Sequence, residues 1–169
     1  MIIIVLGVSG SGKTTIGELL AKSLNWDFQD ADSFHPSSNI NKMRQGIPLT
    51  DADRIPWLAT LEIAIREWLQ KKQNVVLACS ALKAKYREYL LVDRELVKLV
   101  YLQGNFNVIS QRLSQRKNHF MSEKLLQSQF DVIEEPIDAI KVDISGSTTE
   151  ILEQILQQFK DITVFNRFI

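Results

Sequence analysis

Two hydrophobic periods alternate along this chain, one of strands and one of helices, and together they predict an α/β fold. Ile2–Leu6 is an unbroken apolar run rich in β-branched residues, the pattern of a strand covered on both faces. Ile16, Leu19, Leu20 and Leu24 then recur at helical spacing and predict a helix over about Lys13–Leu24. Trp26-Asp27-Phe28 reads as a short second strand ending in Gln29-Asp30-Ala31-Asp32. Residues 33–46 read as a helix-containing insertion, with Ile40 and Met43 turned inward and Gly46 just past the helix end. A turn at Pro48 leads to Thr50–Asp53, whose spacing is that of a capping box. The helix predicted from there to about Lys71 tolerates Pro56 near its start. Trp57, Leu61, Ile65 and Trp68 or Leu69 form its apolar face.

The second half repeats the alternation. Val75–Cys79 predicts a buried strand, followed by a helix carrying Lys83, Tyr86, Arg87 and Leu90. Val97–Gln103 is the next strand, and Asn105 can cap a helix reaching Arg116. A further helix begins near Ser122, a last strand spans about Ala139–Ile144, and Ser147–Glu150 has capping-box spacing for a final helix through Phe159. Such alternation predicts a three-layer, doubly wound parallel sheet with right-handed crossovers. For 169 residues the expectation is one domain spanning 1–169.

Composition narrows the function classes. Apolar residues make up 45% and charged residues 24%, an ordinary globular balance. The formal net charge is zero, so no global field favours nucleic acid or an anionic membrane, and neither is an expected partner. Local charge clusters must therefore do any anion recognition. The single cysteine, Cys79, excludes an intrachain disulfide and fits a reducing compartment. The first apolar run stops at Gly7, too short for a secretory signal, and no stretch approaches membrane-spanning length, so a cytoplasmic location is expected.

The chemistry begins at Gly7-Val8-Ser9-Gly10-Ser11-Gly12-Lys13-Thr14, which satisfies the phosphate-binding pattern G-x-x-x-x-G-K-[ST] at every specified position. Its context is a strand before and a helix after, as that pattern requires. Glycines let successive N–H groups turn inward on a triphosphate, Lys13 reaches the β- and γ-phosphates, and the Thr14 hydroxyl ligates Mg²⁺. Thr15 completes the expected nucleotide-binding stretch.

Other segments discriminate among phosphate-loop proteins. Asn41-Lys42-Met43 begins a guanine-reading N-K-x-D motif, but Arg44 replaces the acid and the position is too early. The Val75–Cys79 strand ends in Cys79-Ser80 rather than in a metal-binding aspartate. Asp30 and Asp32 are therefore the candidates for the metal and for the base that deprotonates an acceptor hydroxyl, and the spacing leaves open which does which. Arg112 and Arg116 share a helix face and lead into the basic run Arg116-Lys117-Asn118-His119, which suits a lid closing over phosphates as well as it suits a solvated helix face. Lys42, Arg54, Lys83 and Arg87 suggest an anionic acceptor, although surface solvation accounts for Lys42 and Lys83 taken singly. His35 is either a substrate hydrogen-bonder or a loop histidine. A small-molecule kinase fits best.

The combination Asp30-Ala31-Asp32-Ser33-Phe34-His35-Pro36, Asn39-Ile40-Asn41-Lys42-Met43, Gly46-Ile47-Pro48-Leu49-Thr50-Asp51 and Pro56-Trp57-Leu58 resembles the thermoresistant gluconokinases. The resemblance continues through Cys79–Lys83, Tyr86-Arg87, Arg112-Leu113, Arg116-Lys117, His119-Phe120, Gln129-Phe130 and Glu134-Glu135-Pro136, and so covers the chain to about Ile144. It implies ATP- and Mg²⁺-dependent phosphorylation of D-gluconate at its 6-hydroxyl. It also implies the fold of nucleoside-monophosphate and shikimate kinases, and often a homodimer. By position it implies Asp32 as general base, Asp30 as a metal partner through water, and Lys13 and Arg116 in catalysis. His35, Lys42, Arg54, Lys83, Arg87 and His119 become gluconate-side candidates, with a substrate-binding insertion at about 33–72 and a lid at about 112–130. Ala52 interrupts a longer acidic run usual in that family, and Asn118 stands where its lid usually has glycine. The tail from 160 to 169 lies outside the resemblance. The alternatives are a kinase for another acidic metabolite such as shikimate, and a non-enzymatic ATP-binding module.

Overall fold

The apolar run at the N-terminus becomes β1 (Ile2–Leu6), and all five of its residues are buried. Ile2 lies opposite Val75 of β3 (Val75–Cys79) on one side and Val97 of β4 (Val97–Gln103) on the other, both parallel. Outside these lie β2 (Asp27–Asp30) against β3 and β5 (Ile140–Asp143) against β4, giving the order β2-β3-β1-β4-β5. The structure is a computed structural model that describes residues 1–114 and 123–160. The basic run Arg116–His119, the helix start expected at Ser122 and most of the tail lie outside the described residues.

Helices cover both faces, because the period-2 geometry of β1 sends alternate side chains to opposite sides. Ile3 and Val5 pack against α1 (Lys13–Leu24), α5 (Phe106–Ser114) and α7 (Thr148–Lys160) through Ile16, Leu20, Ile109, Ile151, Ile155 and Phe159. Ile2, Ile4 and Leu6 pack against α3 (Asp51–Gln70) and α4 (Ala84–Leu90) through Trp57, Leu58, Leu61, Ile65, Tyr86 and Leu90. The expected three-layer, doubly wound sheet is therefore the one observed.

Several boundaries differ from expectation for identifiable reasons. β2 begins at Asp27 and stops at Asp30, because Asp30 accepts from the Asp32 N–H and starts a one-turn 3-10 helix, Ala31–Phe34. In α2 (Ser37–Arg44) the buried residue is Asn39, whereas Ile40 and Met43, expected inward, are only half-buried. The insertion sits at the rim of the sheet, and the one side chain α2 buries is polar and hydrogen-bonded. α2 ends as expected at Gly46, whose φ of +69° lets Gly46 N–H bond to Met43 C=O at 3.0 Å and Ile47 N–H to Lys42 C=O at 2.9 Å. Both capping boxes form: Thr50 with Asp53, and Ser147 with Glu150. Asn105 caps α5 by accepting from Val108 N–H at 2.9 Å. α6 (Glu123–Phe130) follows the undescribed stretch, and no helix among the described residues is long and apolar enough to cross a membrane.

Leu61 is fully buried between α3 and the sheet. Leu61→Ala is expected to lower stability by about 2–5 kcal/mol, the range for cavity-forming core truncations, measurable by urea unfolding followed by circular dichroism.

Candidate functional site

Past Leu6 the chain leaves the sheet and turns through the glycine loop into α1. Gly12 caps α1 in the left-handed region, φ +97°, and offers no side chain to the first-turn N–H groups. Those groups and the helix dipole form an anion site. Gly10 has φ +81°, and a Cβ there would meet Leu113 at 2.7 Å, so a larger residue at this position is doubly excluded. The Lys13 ammonium curls back over the loop to donate to Val8 C=O at 2.9 Å, while Val8 itself is buried in the core. The Ser11 hydroxyl is buried and, among the described residues, is the buried side-chain polar atom that lacks a partner. Gly7 starts the loop with no room for a Cβ, which would sit 2.5 Å from that hydroxyl.

The loop separates two cavities. One, of about 660 Å³, is lined by Ser9 and Lys13 from the loop, Asp32 and His35 from the segment after β2, and Arg54, Lys83 and Tyr86 from α3 and the start of α4. The other, of about 320 Å³, is lined by Gly10, Ser11, Gly12 and Thr15, by Arg112 of α5, and by Gly146, Ser147 and Thr148 before α7. Arg112 also donates to Ile144 C=O at 2.5 Å, which ties α5 to the end of β5.

The two acidic candidates divide. Asp30 turns to the loop, where its Oδ2 accepts from Thr14 Oγ1 at 3.1 Å and its Oδ1 from Asp32 N–H. Asp32 faces the larger cavity. Partial burial raises its carboxyl above the ordinary value, and the neighbouring Asp30 raises it further, against the opposing pull of Lys13. Its side chain is 76% accessible, so water screens these effects and they remain modest. Thr14 and Asp30 form a hard-oxygen pair suited to Mg²⁺, which typically takes few protein ligands and keeps several waters.

His35 sits in the short connection between the 3-10 helix and α2, with its side chain buried. Its ring stacks on Trp57 at 4.3 Å and 15°, with Nε2 3.9 Å from Asp32 Oδ1. Trp57 is held in turn by donating from Nε1 to Ala31 C=O at 2.7 Å. Burial, with a contribution from Arg54, lowers the His35 pKa to about 4, so the ring is neutral at pH 7.

The candidate cations differ in what already neutralises them. Lys42 pairs with Asp53 at 2.7 Å and does not line either cavity. Lys83 lines the larger cavity but pairs with Asp51 at 2.9 Å. Asp51 also accepts from Lys85 and Tyr86, and these bonds hold its carboxyl far below the usual range. Arg87 is buried behind the wall, donating to the carbonyls of Ala81 and Leu82 at 3.1 and 3.0 Å, and lines neither cavity. Arg54 donates to the carbonyls of Leu49 and Thr50 and lies 5.5 Å from the Tyr86 ring centre, with no carboxylate partner among the described residues. Arg116 and His119 lie outside the described residues.

Sequence reasoning missed four contributors. Asp51 was legible only as a helix N-terminal acid, and Asn39 only as part of a motif. Gly146–Thr148 carried a capping signal that masked a cavity wall. Gln129 of α6 accepts from the Ser9 N–H at 2.7 Å, a contact of 120 residues' separation with no local signature. The buried Cys79, its thiol pushed up to about 12 chiefly by burial, is not a nucleophile.

The family model for shikimate kinase matches residues 9–160 of this chain. A gluconokinase of Gluconobacter oxydans is 41% identical, covering 94% of this chain and 90% of its own. A gluconokinase of Arabidopsis thaliana is 44% identical, covering 92% and 90% respectively. The crystal structure of a gluconokinase from Sinorhizobium meliloti superposes with a TM-score of 0.81 at 39% identity, covering 98% of this chain and 91% of that one.

His35 makes stability depend on pH with a definite sign. A base whose pKa is about 4 when folded and about 6.5 when unfolded binds more protons in the unfolded chain, so stability falls as pH drops through that window. Thermal melts between pH 7 and pH 4 should show a smaller decline for His35→Gln than for the parent.

Proposed function

The chain belongs to the gluconokinase family, and on that premise we propose how its residues carry out the phosphorylation of D-gluconate by ATP. The 6-hydroxyl attacks the γ-phosphorus, the bond to the β,γ-bridging oxygen breaks, and ADP and 6-phosphogluconate leave. The hydroxyl proton passes to Asp32, whose pKa burial and the neighbouring Asp30 raise above that of an ordinary aspartate, the direction a base needs. Lys13 and the loop N–H groups stabilise the charge that spreads over the transferring phosphoryl. Gly10–Gly12, Thr15, Arg112 and the Gly146–Thr148 wall receive the rest of the nucleotide, a role supported by their common cavity. Thr14, with Asp30 through water, would hold Mg²⁺. When bound, that ion would neutralise part of the charge on the nucleotide phosphates.

One observation carries the acceptor side: Arg54 lines the same cavity as Asp32 and, among the described residues, has no carboxylate partner. A guanidinium held by carbonyls keeps its charge available for a substrate carboxylate. Lys83 adds positive charge already shared with Asp51, and His35 completes the wall. Residues 112–130 as a lid, with Arg116 on the phosphates and His119 on the acceptor, extend this reading. A homodimer rests on the family resemblance, and a cytoplasmic location on the reducing compartment that the single cysteine fits.

Asp32→Asn should lower kcat by about 10²–10⁴-fold while ATP still binds, read by coupled ADP release and by nucleotide titration. Arg54→Met should raise KM for gluconate far more than KM for ATP. A panel of sugar acids run in the same assay tests the acceptor, and turnover of shikimate in place of gluconate would overturn it.

A further inference from the structure

The contacts of Asn39 determine more than packing. Asn39 is 2% exposed, and its Nδ2 donates to the carbonyl oxygen of Asp53 at 2.8 Å. A carbonyl oxygen only accepts, so the amide group on that side must be the NH₂, and its orientation is fixed by chemistry. The second hydrogen of the same nitrogen points toward His35 Nδ1, 3.3 Å away. Nδ1 must therefore be an acceptor, and in a neutral imidazole the single proton then sits on Nε2. That atom is the one 3.9 Å from Asp32 Oδ1.

We infer that Asn39 is a positioning residue, which sets the tautomer of His35 so that an Nε2–H donor, rather than a bare nitrogen, faces the Asp32 carboxylate. The inference rests on the reading of Asp32 as the base. A bare nitrogen opposite Oδ1 would set two lone pairs against each other and turn the carboxylate away. An N–H in the same place draws one carboxylate oxygen toward the ring and leaves the other for the acceptor hydroxyl. At 3.9 Å the bond is not formed in the ligand-free chain, and catalytic hydrogen bonds commonly tighten only with substrate. Stacking on Trp57, itself anchored to Ala31, holds the plane of the ring, and a flip within that plane would give up both the Asn39 contact at Nδ1 and the approach of Nε2 to Asp32. The low pKa of His35 agrees, since a protonated ring would set an Nδ1–H against the Asn39 NH₂.

Histidine ¹⁵N chemical shifts of the intact chain test this directly, because protonated and bare ring nitrogens are well separated. The chain has two histidines, His35 and His119, and the signals lost in His35→Gln assign the first. The Nε2–H tautomer is expected. In Asn39→Asp a carboxylate oxygen replaces the NH₂, and His35 should switch to the Nδ1–H tautomer. With it kcat should fall roughly tenfold to a hundredfold, with little change in KM for ATP. In a His35→Gln background, where the side-chain NH₂ supplies a donor without a tautomer to choose, Asn39→Asp should cause much less further loss of kcat. An Nδ1–H tautomer in the parent chain overturns the inference, and so does an Asn39→Asp protein of unchanged melting temperature and unchanged kcat. If Asn39→Asp does not fold, the parent spectrum still decides. Absence of gluconate turnover in the parent would instead count against the acceptor assignment, whatever the tautomer.

Discussion

Every strand of a parallel sheet ends on the same edge, and the site depends on that constraint. β1 runs between β3 and β4, so its backbone groups are satisfied as far as Leu6 and no further. At that edge the loop N–H groups, the acids after β2 and the Ser80–Lys83 turn after β3 arrive together, because all three leave strands pointing the same way. Two helix layers pack the sheet on both faces, and the two cavities beside the loop open at this rim, as ligand sites of open α/β sheets generally do. Glycine is needed at Gly10 because the loop turns against Leu113, part of the core that supports it.

Charge at the rim is sorted by local pairing. Asp53 closes the capping box of α3 and in the same position holds Lys42. Asp51, two residues earlier at the first position of α3, gathers Lys83, Lys85 and Tyr86 and so joins the start of α3 to α4. Two acids thus absorb part of the positive charge that the sequence displays as a loose basic cluster. What remains concentrated on the cavity is Arg54, held by carbonyls that orient it without cancelling it. Net charge over the whole chain is zero, so recognition of an anion rests on this short-range sorting rather than on any global field.

Much of this was legible in the sequence because its causes are local. The β1 run, the glycine loop, the two capping boxes and the Gly46 helix end all depend on residues within a few positions of one another, and each appears where its pattern predicts. The site was legible as a set of residue types, and the family resemblance supplied roles. What could not be read was which cation meets which acid, since Lys83 and Asp51 are 32 residues apart. Burial of a polar residue was equally hidden. An apolar moment on α2 favoured Ile40 and Met43, yet Asn39 is inside because Asp53 C=O and His35 satisfy its amide there. Arg87 reads as a ligand and sits behind the wall for a similar reason, its guanidinium committed to two backbone carbonyls.

The Ser9 amide has a single hydrogen, and in this chain Gln129 of α6 holds it. A phosphate oxygen arriving at the loop would ask for the same hydrogen, so phosphate and Gln129 stand as rival acceptors. Leu125 and Ser128, on the same helix as Gln129, line the larger cavity. Whatever loosens or tightens that one contact therefore reshapes the wall against which the second substrate rests. By the reciprocity of binding, any ligand that shifts this contact from one side would be felt on the other.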